Sequence, residues 1–268
     1  MTTPLSIRIV TGALCLYIAF ILTACMSTST TAPTSNGLSP DKALLRVGVS
    51  ANAPPLVYKK GNTLQGLEVD FARQLAGFLG REPHFVTLAW EDQLPALEEG
   101  KIDIIMSGMT ITPKRAYRVA FAKPYMRSGQ MLLVRMKEAR RYSSGIYSLM
   151  GNKPAIGTIK DTTGDFFITK TINRPNITRF KTSKRAVKAL IDGEIDVFVH
   201  DAPIVCHFAA MSESAKITPI LQLATEEFLA WPVNRSDTEL LDSVNTFIDE
   251  SSQKNTLKTT IKRWIPYL

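Results

Sequence analysis

The chain has 268 residues, 45% of them hydrophobic and 21% charged, with a formal net charge of +8. That length supports one large domain or two small ones, and those fractions exclude a chain disordered throughout. The basic residues are scattered, with no run of five or more and no aromatic interleaving, so a nucleic-acid-binding patch is not expected.

The first predicted element follows Arg8, where an uncharged apolar stretch runs from Ile9 to Leu22 and leads into Thr23, Ala24 and Cys25. A basic start, a short apolar core and small residues before a cut form the pattern of a secretory signal. The stretch is shorter than the roughly 20 residues a helix needs to cross a bilayer. Leu22-Thr23-Ala24-Cys25 resembles a bacterial lipobox, so residues 1–25 read as a lipoprotein signal peptide with Cys25 as the lipidated residue. Residues 26–40, MSTSTTAPTSNGLSP, have the composition of a flexible tether. Cys15 leaves with the signal, and Cys206 then has no partner for an intramolecular disulfide; it reads as a small hydrophobe.

From Leu44 the pattern becomes regular. LLRVGVS alternates and is rich in β-branched residues, as a strand is. PPLVYKKGNTLQG reads as turn and loop. Asp70 then precedes FARQLAGFLG, where Phe71, Leu75, Phe78 and Leu79 share a helical face and Gly80 supplies the stop. HFVTLAW reads as a strand, EDQLPALEEG as a helix ended by Gly100, and IDIIMSG as a buried strand. Alternating strands and helices predict an α/β fold with crossover connections.

One phrase occurs twice: ALEEGKIDIIMSGM at 96–109 and ALIDGEIDVFVHDA at 189–202. Each copy reads as a helix end, a glycine for the left-handed cap, and a strand running into the core. Ligands of open α/β sheets bind beyond the carboxyl ends of strands. Two copies therefore predict two α/β lobes, each presenting a polar loop to a ligand held between them. The first loop offers Gly108, Thr110 and Arg115, whose planar fork suits a carboxylate. The second offers Asp201, a carboxylate that can receive an ammonium or cap the next helix. A cation on one lobe and an anion on the other match a zwitterion.

In this order, TITPKR, the following FAKPY and IDVFVHDAP make a specific combination. With LRVGVSANAPPLVY, LQGLEVDFARQLAGFLG and GQMLLV, they resemble the family 3 extracellular solute-binding proteins, the polar amino-acid receptors of bacterial ABC importers. The resemblance continues through IGTIKDTTGDFF and LLDSVNTFIDESSQKNTLKTTIKRW and covers nearly the whole chain after the tether. It implies a type II periplasmic-binding-protein fold: two lobes with parallel or mixed sheets, a cleft, and a two-strand hinge. Lobe 1 would comprise 41–131 and 228–268, lobe 2 132–227, with connections near 132–135 and 226–230. By the same resemblance Arg115 grips the ligand's α-carboxylate with Thr110 and Thr163. Asp201 and the Gly108 carbonyl take the α-ammonium, and Trp90 stacks on the side chain. Thr162 and Asn52 complete the expected contacts. The implied partners are a small amino acid, an ABC permease or a sensor, and a membrane through the lipid anchor. No cofactor or metal is implied, and the receptor is expected to be an exported monomer.

Departures from the family pattern bear on specificity. Ala53 stands where an aromatic is common, Ser50 where receptors for cationic amino acids tend to place an acid, and Glu68 replaces the usual Asp. The expected pocket is roomier and less acidic, suited to a neutral or bulky ligand. An enzyme alternative uses the same fold: periplasmic cyclohexadienyl dehydratases resemble these receptors and place an acid where Asp165 stands. Their neighbouring Lys is Phe166 here, which weakens that reading. His200, Asp201, Cys206 and His207 lie close in sequence but match no usual zinc spacing.

Overall fold

The computed structural model describes residues 43–211, 214 and 216–267; the signal, the tether and Cys25 lie outside the described residues. Among the described residues no helix is long and apolar enough to cross a membrane. Two five-stranded mixed sheets form the two lobes. The first runs Glu82–Thr87, Leu44–Val49, Ile104–Ile105, Pro232–Val233, Ala120–Phe121. The second runs Asn176–Phe180, Ala155–Ile159, Val197–Asp201, Gln130–Arg135, Ile217–Ile220. In each, the first three strands are parallel and the remaining pairings antiparallel.

The repeated phrase folds as its spacing predicts. Gly100 and Gly193 follow the helices Gln93–Glu98 and Ser183–Asp192 with φ of 68° and 85°, the left-handed region that stops a helix. Strands Ile104–Ile105 and Val197–Asp201 then enter the middle of each sheet, fully buried. Their carboxyl ends deliver the two polar loops.

Other elements shift from their predicted bounds for identifiable reasons. The first long helix spans Leu67–Phe78 and begins before Asp70, because Pro55 and Leu56 carbonyls accept the Leu67 and Glu68 N–H groups at 3.0 and 2.9 Å. Those groups would otherwise be orphaned at a helix start. Phe78, predicted on the core face, is 42% exposed and tilts against Phe247 at the rim. EDQLPALEEG becomes a 3-10 turn, Trp90–Asp92, followed by the helix Gln93–Glu98.

The lobes are joined by two chain crossings paired as a short antiparallel ribbon, Met126–Ser128 with Glu227–Leu229. The first crossing precedes the expected 132–135, since Gln130–Arg135 is already a strand of the second sheet, registered against Val197–Asp201. The chain then returns through Pro232–Val233 to the first sheet, and the helices Thr238–Gln253 and Thr256–Trp264 pack on its core. At that core Trp231, 0% exposed, stacks on Tyr125 at 4.8 Å and meets Phe71 edge-on at 5.3 Å. Burying one such ring contributes at most roughly 4–6 kcal/mol at about 25 cal/mol per Å².

Candidate functional site

The two loops meet over one cavity between the sheets, with about 560 Å³ of empty space. All eight residues named from the sequence line it: Asn52, Trp90, Gly108, Thr110, Arg115, Thr162, Thr163 and Asp201. Ser50, Leu56, Ile159, Lys181, Ser183, His200 and Ile204 are among the other walls.

On the first lobe, Thr112 caps the helix Pro113–Arg118 by accepting from the Arg115 N–H at 3.3 Å, with Pro113 suited to its first turn. This turns Arg115 inward, where it is 7% exposed. Its Nη1 donates to the Thr110 carbonyl at 2.9 Å, and the guanidinium lies 5.3 Å from the centre of the Trp90 ring. Burial pulls the Arg115 pKa down, and the nearby carboxylates of Asp201 and Glu227 pull it back up. The Trp90 indole N–H donates to the Asp161 carbonyl of the second lobe at 3.0 Å, so the ring also closes the side of the cleft.

On the second lobe, Thr162 caps the helix Thr163–Thr171 and donates its own hydroxyl to the Ile159 carbonyl at 2.7 Å. Strand Val197–Asp201 ends on two buried polar residues, His200 and Asp201. The Asp201 N–H donates to His200 Nδ1 at 2.7 Å, which places the ring proton of the neutral imidazole on Nε2. Gln130, directly across the ladder, donates from Nε2 to Asp201 Oδ1 at 2.5 Å.

Three residues that the sequence reading did not assign to the site support it from behind. Glu227, on the second connecting strand, accepts from Thr110 and Thr163, one on each lobe. Gln130 links it to Asp201. Glu68 is 0% exposed and accepts from the Gly108 N–H at 2.6 Å, the Tyr125 hydroxyl at 2.5 Å and the Trp231 indole at 2.8 Å. The available signals were slight: Glu68 stood out as a departure from an Asp, and Glu227 fell inside the expected second connection.

Burial raises the Glu68 pKa from 4.5 to about 7, against the lowering pull of its bonds from Tyr125, Trp231 and the Gly108 N–H. Between those values the folded protein holds a proton that the unfolded chain has released. The stability this group contributes is therefore full below about pH 4.5 and is lost as pH rises through 7. At about 1.4 kcal/mol per pKa unit the loss is roughly 3 kcal/mol. Melting curves from pH 4 to 8 should show a slope that Glu68→Gln lacks; parallel profiles for the two proteins would contradict it.

Asp165, the acid of the dehydratase alternative, is not among the cavity walls. It is 3% exposed, pairs with Arg179 at 2.8 Å and accepts from Thr158 at 3.2 Å. Cys206 is a half-buried free thiol whose sulfur lies 3.8 Å from that of Met131.

The family model for bacterial extracellular solute-binding proteins, family 3, matches residues 45–267. A probable histidine-binding protein of Neisseria gonorrhoeae is 31% identical over 196 residues, which cover 71% of this chain and 70% of the relative. A probable histidine-binding protein of Campylobacter jejuni is 28% identical over 262 residues, covering 96% and 98% of the two chains. Among solved structures, an ancestral amino acid-binding protein described as a precursor of cyclohexadienyl dehydratase superposes with a TM-score of 0.78 at 30% identity. That match covers 84% of this chain and 96% of the other.

Proposed function

The chain belongs to the bacterial extracellular solute-binding proteins, family 3, and from that membership we propose that it captures a small amino acid outside the cytoplasm and delivers it to an ABC import permease. The observation that carries this reading is the pair Arg115 and Asp201, one from each lobe, on the walls of one cavity. Arg115 would hold the ligand's α-carboxylate, and Asp201 with the Gly108 carbonyl its α-ammonium. Trp90 and Asn52 would meet the side chain, and Thr162 and Thr163 would close the carboxylate end. A ligand bonded to both lobes favours the closed form to the extent of those double contacts. The ribbon Met126–Ser128 with Glu227–Leu229 would serve as the hinge, dividing the chain into lobes near the expected 41–131, 132–227 and 228–268. Export and lipidation of Cys25 would keep the receptor at a membrane beside its permease.

The walls also bear on the ligand's side chain. They include Lys181 and His200, and among the described residues that line the cavity Asp201 is the one carboxylate. A cationic side chain would find no second acid there, so we place neutral amino acids ahead of arginine or lysine.

The test is the melting temperature of the purified protein against the twenty amino acids, cystine, prephenate and arogenate. Ligand at a hundred times its dissociation constant should add about 2.7 kcal/mol. For a chain of this size that is a rise of about 5–10 °C. A selective rise with one neutral amino acid is expected. A response to prephenate alone, with release of phenylpyruvate, would replace the receptor reading with the dehydratase.

A further inference from the structure

Glu227 is 8% exposed and stands behind the cavity, among four donors. Its Oε2 accepts from the Thr110 hydroxyl at 2.8 Å and the Thr163 hydroxyl at 3.0 Å. Its Oε1 accepts from Gln130 Nε2 at 3.0 Å and the Thr225 hydroxyl at 2.8 Å. A carboxylate only accepts, while a hydroxyl has one proton to give and two lone pairs. With their protons committed to Glu227, Thr110 and Thr163 can face the cavity only as acceptors. Gln130 Nε2 also lies 3.1 Å from Thr163 Oγ1, but its two N–H groups serve the nearer carboxylates of Asp201 and Glu227. The Gln130 amide cannot turn over to relax this, since its oxygen would then face the carboxylates of Asp201 and Glu227 together.

We propose that Glu227 is a positioning residue for ligand selection: by holding the hydroxyl protons of Thr110 and Thr163, it turns both hydroxyls into acceptors and biases the cavity toward an ammonium-bearing ligand. The inference rests on the amino-acid reading of the cavity and revises one part of it. The family resemblance places both threonine hydroxyls on the ligand's carboxylate, where lone pair would meet lone pair. An ammonium instead has three N–H groups, and Asp201, the Gly108 carbonyl and Thr110 Oγ1 provide three acceptors for them. The ligand carboxylate is left to Arg115 and to the Thr163 and Gly164 N–H groups at the start of the helix Thr163–Thr171, since the Asp165 N–H is already taken by the Thr162 hydroxyl.

Glu227→Gln tests this: at the Oε1 position its amide nitrogen would meet the Gln130 N–H donor, so it takes the Oε2 position, faces both Thr110 and Thr163, and leaves their hydroxyl protons to turn toward the cavity. Calorimetry would compare L-histidine with imidazole-4-propionate, and L-glutamine with 4-carbamoylbutanoate, on the wild type and the variant. The wild type should prefer the amino acid of whichever pair binds, and the variant should lose about tenfold of that preference. The desamino acid should bind the variant as well as the wild type or better. Equal weakening of both members, with the preference intact, would reduce Glu227 to a structural group and overturn the proposal. Neutron diffraction of deuterium-exchanged wild-type crystals gives a ligand-independent readout. Deuterons on Thr110 and Thr163 should point at Glu227; a deuteron directed into the cavity, or carried by Glu227 itself, would overturn it. If neither pair binds the wild type, the neutron map alone decides the orientation.

Discussion

Arg115→Ala should abolish measurable binding of the cognate amino acid, with an affinity loss on the order of a hundredfold to a thousandfold. Arg115 is buried and donates from Nη1 to the Thr110 carbonyl at 2.9 Å. The rest of its planar fork can receive a carboxylate. Truncation would leave a ligand carboxylate buried without its cation, which costs roughly 3–5 kcal/mol, more than the lost bonds alone. Arg115→Lys should recover only part of this, because an ammonium keeps the charge but not the bidentate geometry. Asp201→Asn should cost about tenfold to a hundredfold, since a neutral amide oxygen still accepts from the ligand's ammonium. Isothermal titration calorimetry, with circular dichroism to verify folding, checks all three. Affinity within threefold of wild type for Arg115→Ala would remove the residue from the site.

The largest expected loss of stability is at Glu68. Glu68→Ala would leave the Gly108 N–H, the Tyr125 hydroxyl and the Trp231 indole N–H without their shared acceptor in the buried core. Each unsatisfied buried donor costs about 1–3 kcal/mol, and the emptied volume adds to that. A total of roughly 4–6 kcal/mol is a large part of the 5–15 kcal/mol typical of a folded domain. Glu68→Gln keeps the shape and one acceptor oxygen, so it should lose less than half as much. Urea unfolding should show the midpoint falling at an unchanged slope for both variants. The same substitution should also weaken ligand binding, because Gly108 loses the anchor on its N–H while its carbonyl is assigned to the ammonium. A midpoint within experimental error of wild type for Glu68→Ala would mean that its three donors find other partners.

Much of the arrangement was legible in the sequence because it rests on local rules. The repeated phrase carries its own stop signal, and Gly100 and Gly193 adopt the left-handed caps that the spacing implies. The loops after those strands name Gly108, Thr110, Arg115 and Asp201 directly, since a polar residue at a strand's carboxyl end has few other places to go. Where the reading slipped, distant contacts intervened. The first long helix starts early because the loop carbonyls of Pro55 and Leu56 cap it, and Phe78 leaves the core face for the ring of Phe247. The first crossing moved to Met126–Ser128 because strand Gln130–Arg135 is claimed by Val197–Asp201, more than 60 residues away in the chain.

The supporting groups of the site lay beyond such reading for a related reason. Glu68, Gln130 and Glu227 are ordinary polar residues in sequence, and only burial gives them their roles. Glu68 meets Trp231 across 163 positions, and Glu227 meets Thr110 across 117. The sequence alone determined the two α/β lobes and the two loops that carry opposite charges. Those features follow from periodicity, caps and short motifs, which act over a few residues. The tertiary structure decided which carboxylates are taken out of water, which hydroxyl protons they hold, and that the two loops share one cavity. Desolvation and hydrogen-bond direction depend on what packs around a group, and that is set only when the two sheets come together.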